Sequence, residues 1–256
     1  MKHNVFSGFI LILLFATFFF LKDEPYLWFL MGGIVLVYLF ITAYGSTQIG
    51  ANYFVHSINQ GKEEGISLTF DDGPDPNFTL QILDILDAHN IVGTFFIIGK
   101  KATIHTEILK EINDRGHLIG NHSFSHSSNL PLFSKSKLKA DFLHCSNIIK
   151  TLTGREVHFF RPPFGITNPR YSKTLEALNL QSIGWNVRSF DTVLKSPNRL
   201  FNRVTGKLRN GSIVLFHDTQ KVTVQTLPKI IRYCEEEGIK ILPLEELINK
   251  HPYEKK

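Results

Sequence analysis

The chain is poor in cysteine: two among 256 residues, Cys145 and Cys234. Two cysteines make no disulfide framework and no metal-knuckle spacing. Both fall in segments with amphipathic helical spacing and read as buried free thiols. A dense Lys/Arg run is missing too, so the net charge of +5 gives no ground for a nucleic-acid partner. No Gly-x-Gly-x-x-Gly follows the first strand pattern and no Walker sequence occurs, which removes the usual support for dinucleotide or ATP binding. Internal repeats and low-complexity tracts are also lacking, and nothing signals an obligate protein partner. Charge is scarcest at the start. Residues 1–61 carry only Lys2, Lys22, Asp23 and Glu24, which cancel, so the whole excess belongs to residues 62–256.

What fills that uncharged start is apolar. Val5–Leu21 and Tyr26–Tyr44 are two uncharged runs separated by Lys22-Asp23-Glu24-Pro25. A bilayer core of about 30 Å takes roughly 20 helical residues, and both runs are long enough. The tail of the first run lacks a small-x-small cleavage site, which argues against a cleaved signal peptide. The pattern predicts a two-span anchor in the cell membrane through residues 5–44 (domain 1–46), a linker at 47–64 and a water-soluble domain at 65–250. Lys2 and Lys22 oppose each other in the positive-inside rule, so charge does not choose the face on which that domain lies.

The soluble part alternates between strand and helix patterns. Strands are expected at Ile66–Phe70, Val92–Ile98, His117–Gly120, Val157–Arg161, Ser182–Val187, Ser212–Phe216 and Ile239–Leu242. Between them lie helical spacings at Thr79–His89, Thr103–Asp114, Ser134–Thr153, Tyr171–Leu178, Asn198–Arg209 and Val224–Glu237. Gly154 closes the third as a left-handed cap. Such alternation implies an α/β fold with a parallel sheet, here a (β/α) barrel of about seven strands.

In that architecture chemistry gathers at the C-terminal strand ends. Those ends supply Asp71-Asp72, His122 with His126, Arg161, Asp191 and His217. His122 and His126, spaced i and i+4, would share one face of a helical turn. With one carboxylate they form a donor set suited to zinc or another first-row divalent ion with open positions. Asp-Asp-Gly-Pro is also a good turn sequence, but it directly follows an apolar strand. Adjacent strand residues point opposite ways, so one aspartate can ligate while the other faces substrate water. Pro162-Pro163 fixes the backbone after Arg161. The residues thus point to metal-assisted hydrolysis.

Four ordered motifs resemble the polysaccharide deacetylases of the NodB-homology type, carbohydrate esterase family 4. They are Thr69–Pro74 (TFDDGP), Gly120–His126 (GNHSFSH), Arg161–Gly165 (RPPFG) and Leu215–Asp218 (LFHD). The resemblance covers about residues 65–245 and implies a distorted (β/α) barrel. It also implies one divalent metal, Zn²⁺ or alternatively Co²⁺ or another first-row ion, held by Asp72, His122 and His126. Asp71 would be the general base and His217 the general acid, with Asp191 tuning His217 and Arg161 holding Asp71. A backbone N–H near Phe164 would stabilise the oxyanion, and Pro163, Leu215 and Arg188 would border the groove. The reaction implied is removal of acetyl from an N-acetylhexosamine in peptidoglycan or a related glycan. A lipid-linked amino sugar at the membrane face is the alternative substrate, and a silent glycan-binding module the alternative function. One motif departs: where the family reads Asp-x-x-Asp-Trp, this chain has Arg188-Ser189-Phe190-Asp191-Thr192. An arginine there favours a substrate bearing phosphate or carboxylate. Trp185, upstream, is read as packing.

Overall fold

A computed structural model describes residues 2–253. Two helices come first, α1 (Lys2–Leu21) and α2 (Leu27–Thr47), antiparallel partners that leave most of their apolar side chains exposed. Then come β1 (Ile66–Asp71), α3 (Thr79–Ala88), β2 (Thr94–Ile97), α4 (Gly99–Ile104), α5 (Thr106–Asp114) and β3 (Leu118–Asn121). They are followed by α6 (Lys135–Thr153), β4 (Phe159–Phe160), α7 (Pro169–Ala177), β5 (Gln181–Ser182) and β6 (Val187–Arg188). The chain closes with α8 (Pro197–Thr205), β7 (Ser212–His217), α9 (Lys221–Glu236) and α10 (Leu244–Ile248).

The seven strands form one parallel sheet in the order β5-β4-β3-β2-β1-β7-β6. That is the cyclic order of a barrel cut open between β5 and β6, so the sheet is a curled half-barrel with one seam. Period-two alternation along β1 gives its faces opposite tasks. Ile66, Leu68 and Phe70 join the apolar layer with Leu83 and Leu86 of α3 and Leu227 and Ile231 of α9. Ser67, Thr69 and Asp71 form the other row, with Ser67 donating to Leu242 O and Thr69 to Val214 O. Leu244, Leu247 and Ile248 of α10 join Phe96, Phe159 and Ile213 in a further apolar cluster.

Several boundaries differ from the sequence pattern. Ile239–Leu242 is not a strand; a single bridge, Ile66 to Ile241, remains of it. Ser182–Val187 splits into β5 and β6, because Ile183–Asn186 crosses the open seam instead of pairing continuously. The helix expected at Thr103–Asp114 breaks at His105 into α4 and α5. Gly154 does take the left-handed cap, at φ 70°. The segment after α2 is no free tether: Tyr53, Phe54 and Val55 are buried, and Ile58 bridges Ile183.

Candidate active site

The inner row of β1 ends at Asp71, which is 3% exposed and meets a fully buried arginine. Arg161 Nη1 donates to Asp71 Oδ1 and to Thr69 Oγ1, each at 2.8 Å. Its Nη2 donates to Gly184 O at 3.0 Å and its Nε to Ile183 O at 3.3 Å. One guanidinium therefore ties β1 to the segment that crosses the seam, and its planar fork suits that task better than a lysine would. Arg161 reaches the cleft only through Asp71.

The next residue turns away. Asp72 takes a left-handed φ of 76°, and Lys101 Nζ donates to its backbone carbonyl at 2.8 Å. Asp72 Oδ1 lies 3.4 Å from His122 Nε2 and 3.2 Å from His126 Nε2. The Nδ1 of His122 is 2.8 Å from Arg161 O. A carbonyl only accepts, so Nδ1 carries a proton, which makes Nε2 the nitrogen of this ring that can ligate. The expected helical turn is absent. His122 and His126 lie in a loop with left-handed φ at Ser123 (67°) and His126 (45°). Asp141 of α6 holds that loop by accepting from the amides of Phe124 and Ser125. The two rings still meet, with centroids 4.9 Å apart.

These three side chains pass a chemical test for a metal. One donor atom from each lies within 4.8 Å of the others. Asp72 Oδ1 is buried and has no hydrogen-bond partner, which is costly unless something else meets it. Burial works to raise the Asp72 pKa, but the imidazoles of His122, His126 and His217 around it outweigh burial and hold it well below the usual carboxylate range. Burial, with the His122 ring beside it, brings His126 down to about 4. An ionised carboxylate beside a neutral imidazole is the state that metal ligation requires.

His217 closes the opposite wall at the end of β7. Its Nδ1 lies 2.7 Å from Asp191 Oδ1, and its backbone N–H donates to Asp191 Oδ2 at 2.6 Å. Thr223 of α9 donates to the same oxygen at 2.7 Å. Burial opposes charge on His217, yet Asp191, Asp71 and Asp72 outweigh it and raise the pKa to about 9. The imidazole Nε2 faces the cleft, 3.9 Å from Asp72 Oδ2. Asp191 is fully buried and acts on the cleft only through this ring.

Phe164, Leu215, Arg188, Thr192 and Trp185 complete the walls. Pro163 is buried and is not among them. Trp185 is a correction to the sequence reading: its ring walls the cleft, and a Cβ on Gly165 would come within 2.7 Å of it. Thr223 and Lys101 were not anticipated, since each sits in an ordinary helical run with no motif around it. Asp218 lies just outside the cleft, fully buried, accepting from Thr79 Oγ1, and burial pushes its carboxyl up to about 7.

Comparison with known proteins agrees with this geometry. The profile of the family described as polysaccharide deacetylase matches residues 58–183. A peptidoglycan-N-acetylglucosamine deacetylase of Bacillus cereus is 34% identical over 70% of this chain, which spans 66% of that relative's length. A second Bacillus cereus protein of the same name is 33% identical over 74% of this chain and 91% of its own. The crystal structure of a peptidoglycan N-acetylglucosamine deacetylase bound to an N-hydroxybenzamide superposes with a TM-score of 0.73. It is 31% identical, over 77% of this chain and 94% of that one. With the matched profile, these identities and the shared curled barrel, the chain belongs to the polysaccharide deacetylase family.

Proposed function

We propose that this protein hydrolyses the N-acetyl amide of an N-acetylhexosamine in a glycan, releasing acetate and a free amine. One observation carries the reading: an arginine-held carboxylate and an aspartate-backed histidine flank a three-donor cluster in a single cleft. Binding alone needs neither a base nor an acid.

Asp72, His122 and His126 would hold one divalent ion, with Zn²⁺ the best match to two imidazoles and a carboxylate. Such an ion lowers the pKa of a bound water toward about 7 and polarises a carbonyl. Asp71, oriented by its 2.8 Å bond to Arg161, accepts the proton of the attacking water. His217 is held protonated by Asp191 and gives that proton to the departing amine nitrogen as the C–N bond breaks. The amides of Gly165 and Ile166 already donate to Pro162 and Pro163 carbonyls, so the Phe164 amide is the one assigned to the developing oxyanion. Trp185, Leu215 and Phe164 form the apolar walls around the acetyl methyl.

The soluble region 65–250 is assigned this activity, and the segment 1–46, which carries α1 and all but the last residue of α2, is assigned to the membrane as two spans, with 47–64 joining them. Both helices pass by length and composition, at 20 and 21 residues. The test is acetate release from N-acetylglucosamine oligomers and peptidoglycan after metal removal and Zn²⁺ reloading. Asp71→Asn should lose turnover while still binding metal. Zn²⁺-loaded protein that releases no acetate from any N-acetylated glycan would overturn the reading.

A further inference from the structure

The end of α2 is bonded to the active-site loop. Ser46 Oγ donates to Thr167 O at 2.8 Å, and the Thr167 amide donates to Ser46 O at 2.9 Å. Around this pair the helical hairpin packs firmly on the barrel. His3 Nδ1 lies 3.2 Å from the Tyr53 hydroxyl, and a Cβ on Gly45 would drive into the Tyr53 ring. Phe6 and Ile41 join the cluster of Tyr53, Phe54, Phe142 and Tyr171. The domain is not free to swing away from the spans.

That packing sets a height. Tyr26 and Tyr44 are exposed aromatics 18 residues apart on the second span. Eighteen residues rise about 27 Å, close to the roughly 30 Å hydrocarbon core, and tyrosines favour both of its edges. Ser46 lies two residues past Tyr44, about 3 Å farther out, inside the headgroup layer. Phe164 on the cleft wall is three residues from Thr167, so at most about 10 Å of chain separates them. Phe164 (49% exposed) and Leu132 (74%) offer apolar surface there, and Pro131 O accepts from the Asn168 side chain. Arg188 also lines the cleft; it and Arg203 flank the Phe190 ring at 5.0 and 4.7 Å, and among the described residues neither has a carboxylate partner.

We propose that the substrate is an N-acetylated sugar joined to a membrane lipid through phosphate. Its acetamido group enters the cleft beside Phe164 and its phosphate meets Arg188. This rests on the deacetylase and two-span readings. A sugar held to a lipid by one or two phosphates stands just above the headgroups, within reach of a cleft wall that lies at most about 10 Å of chain from Thr167. A mature glycan strand reaches that height only where it touches the membrane.

The test uses the full chain in phosphatidylcholine vesicles, loaded with Zn²⁺. Acetate release is measured from polyprenyl-diphosphate-linked N-acetylglucosamine in the same vesicles, from soluble N-acetylglucosamine 1-phosphate and from chitotetraose. The expected kcat/KM on the lipid-linked sugar is at least tenfold above chitotetraose, and Arg188→Gln brings the ratio toward one. Equal or faster turnover of chitotetraose overturns this inference and leaves the deacetylase standing. A sugar phosphate that matches the lipid-linked sugar overturns the lipid part. No acetate from any substrate overturns the deacetylase reading and this one with it. Placement is read separately with a fluorophore on Leu132→Cys, since Cys145 and Cys234 are fully buried. Quenching by headgroup-level spin-labelled lipid is expected, and its absence overturns the placement.

Discussion

Replacing Arg161 with methionine should cost the fold as well as the activity. The guanidinium is 0% exposed and bonds Asp71 Oδ1 at 2.8 Å, with further bonds to Thr69, Gly184 and Ile183. Removing one partner of a buried ion pair costs about 3–5 kcal/mol, because the other charge stays buried alone. The two carbonyls across the seam lose donors as well, so this range is a floor. A domain of this size shifts its Tm by about 2–4 °C per kcal/mol, which predicts a drop of roughly 6–20 °C. Cys145 and Cys234 are buried reporters, so a thiol-reactive dye reads unfolding in detergent without further engineering. Metal-free protein isolates the pair from ligand binding. Adding Asp71→Asn to Arg161→Met should recover about 1 kcal/mol or more, since a neutral amide needs no counter-charge. A drop under about 2 °C, or no recovery in the double variant, would refute the claim that a buried charge pair closes this barrel.

Four further outcomes follow from the same geometry. Zn²⁺ at a hundred times its Kd should stabilise the protein by about 2.7 kcal/mol, and Asp72→Ala should abolish that gain in the same dye assay. His217→Ala should lower kcat by about 10²- to 10⁴-fold with little change in metal affinity, measured by steady-state acetate release and metal titration. Gly73→Ala would place a methyl against the Asp218 carboxylate, costing about 1–3 kcal/mol, read as a lowered Tm. His117 is buried, and burial holds its pKa below the ordinary value. Above about pH 6.5 neither the folded nor the unfolded state binds its proton. As pH falls through that value the unfolded chain protonates first, so stability falls by up to about 1.4 kcal/mol per pH unit. His117→Asn should flatten that acid limb in pH-dependent melts.

Much of the fold was legible because the apolar strands of a parallel sheet announce themselves. Ile66–Phe70 alternates apolar and hydroxyl residues and Ile213–Phe216 is an unbroken apolar run, and the structure pairs the two strands residue for residue. Sequence reasoning failed where a strand depends on its neighbours. Ile239–Leu242 has strand composition, but it lies on the side of β1 away from β7, and β2 takes that side from Thr69 onward, so only one bridge forms. Ser182–Val187 reads as one strand, yet Gly184 and its neighbours carry the carbonyls that bind Arg161, and ladder pairing there would compete with those bonds. The stretch 47–64 reads as a polar linker because Tyr53, Phe54 and Val55 are only three apolar residues. Their burial depends on α6, α7 and the hairpin, which no local window contains.

The site was legible as a set of residues at strand ends but not as a geometry. Spacing suggested that His122 and His126 meet along a helical turn, whereas they meet through left-handed kinks at Ser123 and His126. The same device recurs around the mouth: Asp72, Phe164 and Phe190 also hold positive φ, at 76°, 61° and 61°. Each such residue costs of order 1–3 kcal/mol in backbone conformation, which no apolar pattern encodes. The surroundings impose it, through Asp141 on the His122 loop, Lys101 on the Asp72 carbonyl and Asp191 locked to the His217 amide and Thr223. The left-handed turn at Asp72 is also what separates the two neighbouring aspartates, one held in the cleft floor by Arg161 and the other turned toward the histidines. Two carboxylates so close would repel if both faced the same way. Splitting them lets one stay with a buried cation while the other turns to the His122–His126 pair, and that division brings both into a single cleft.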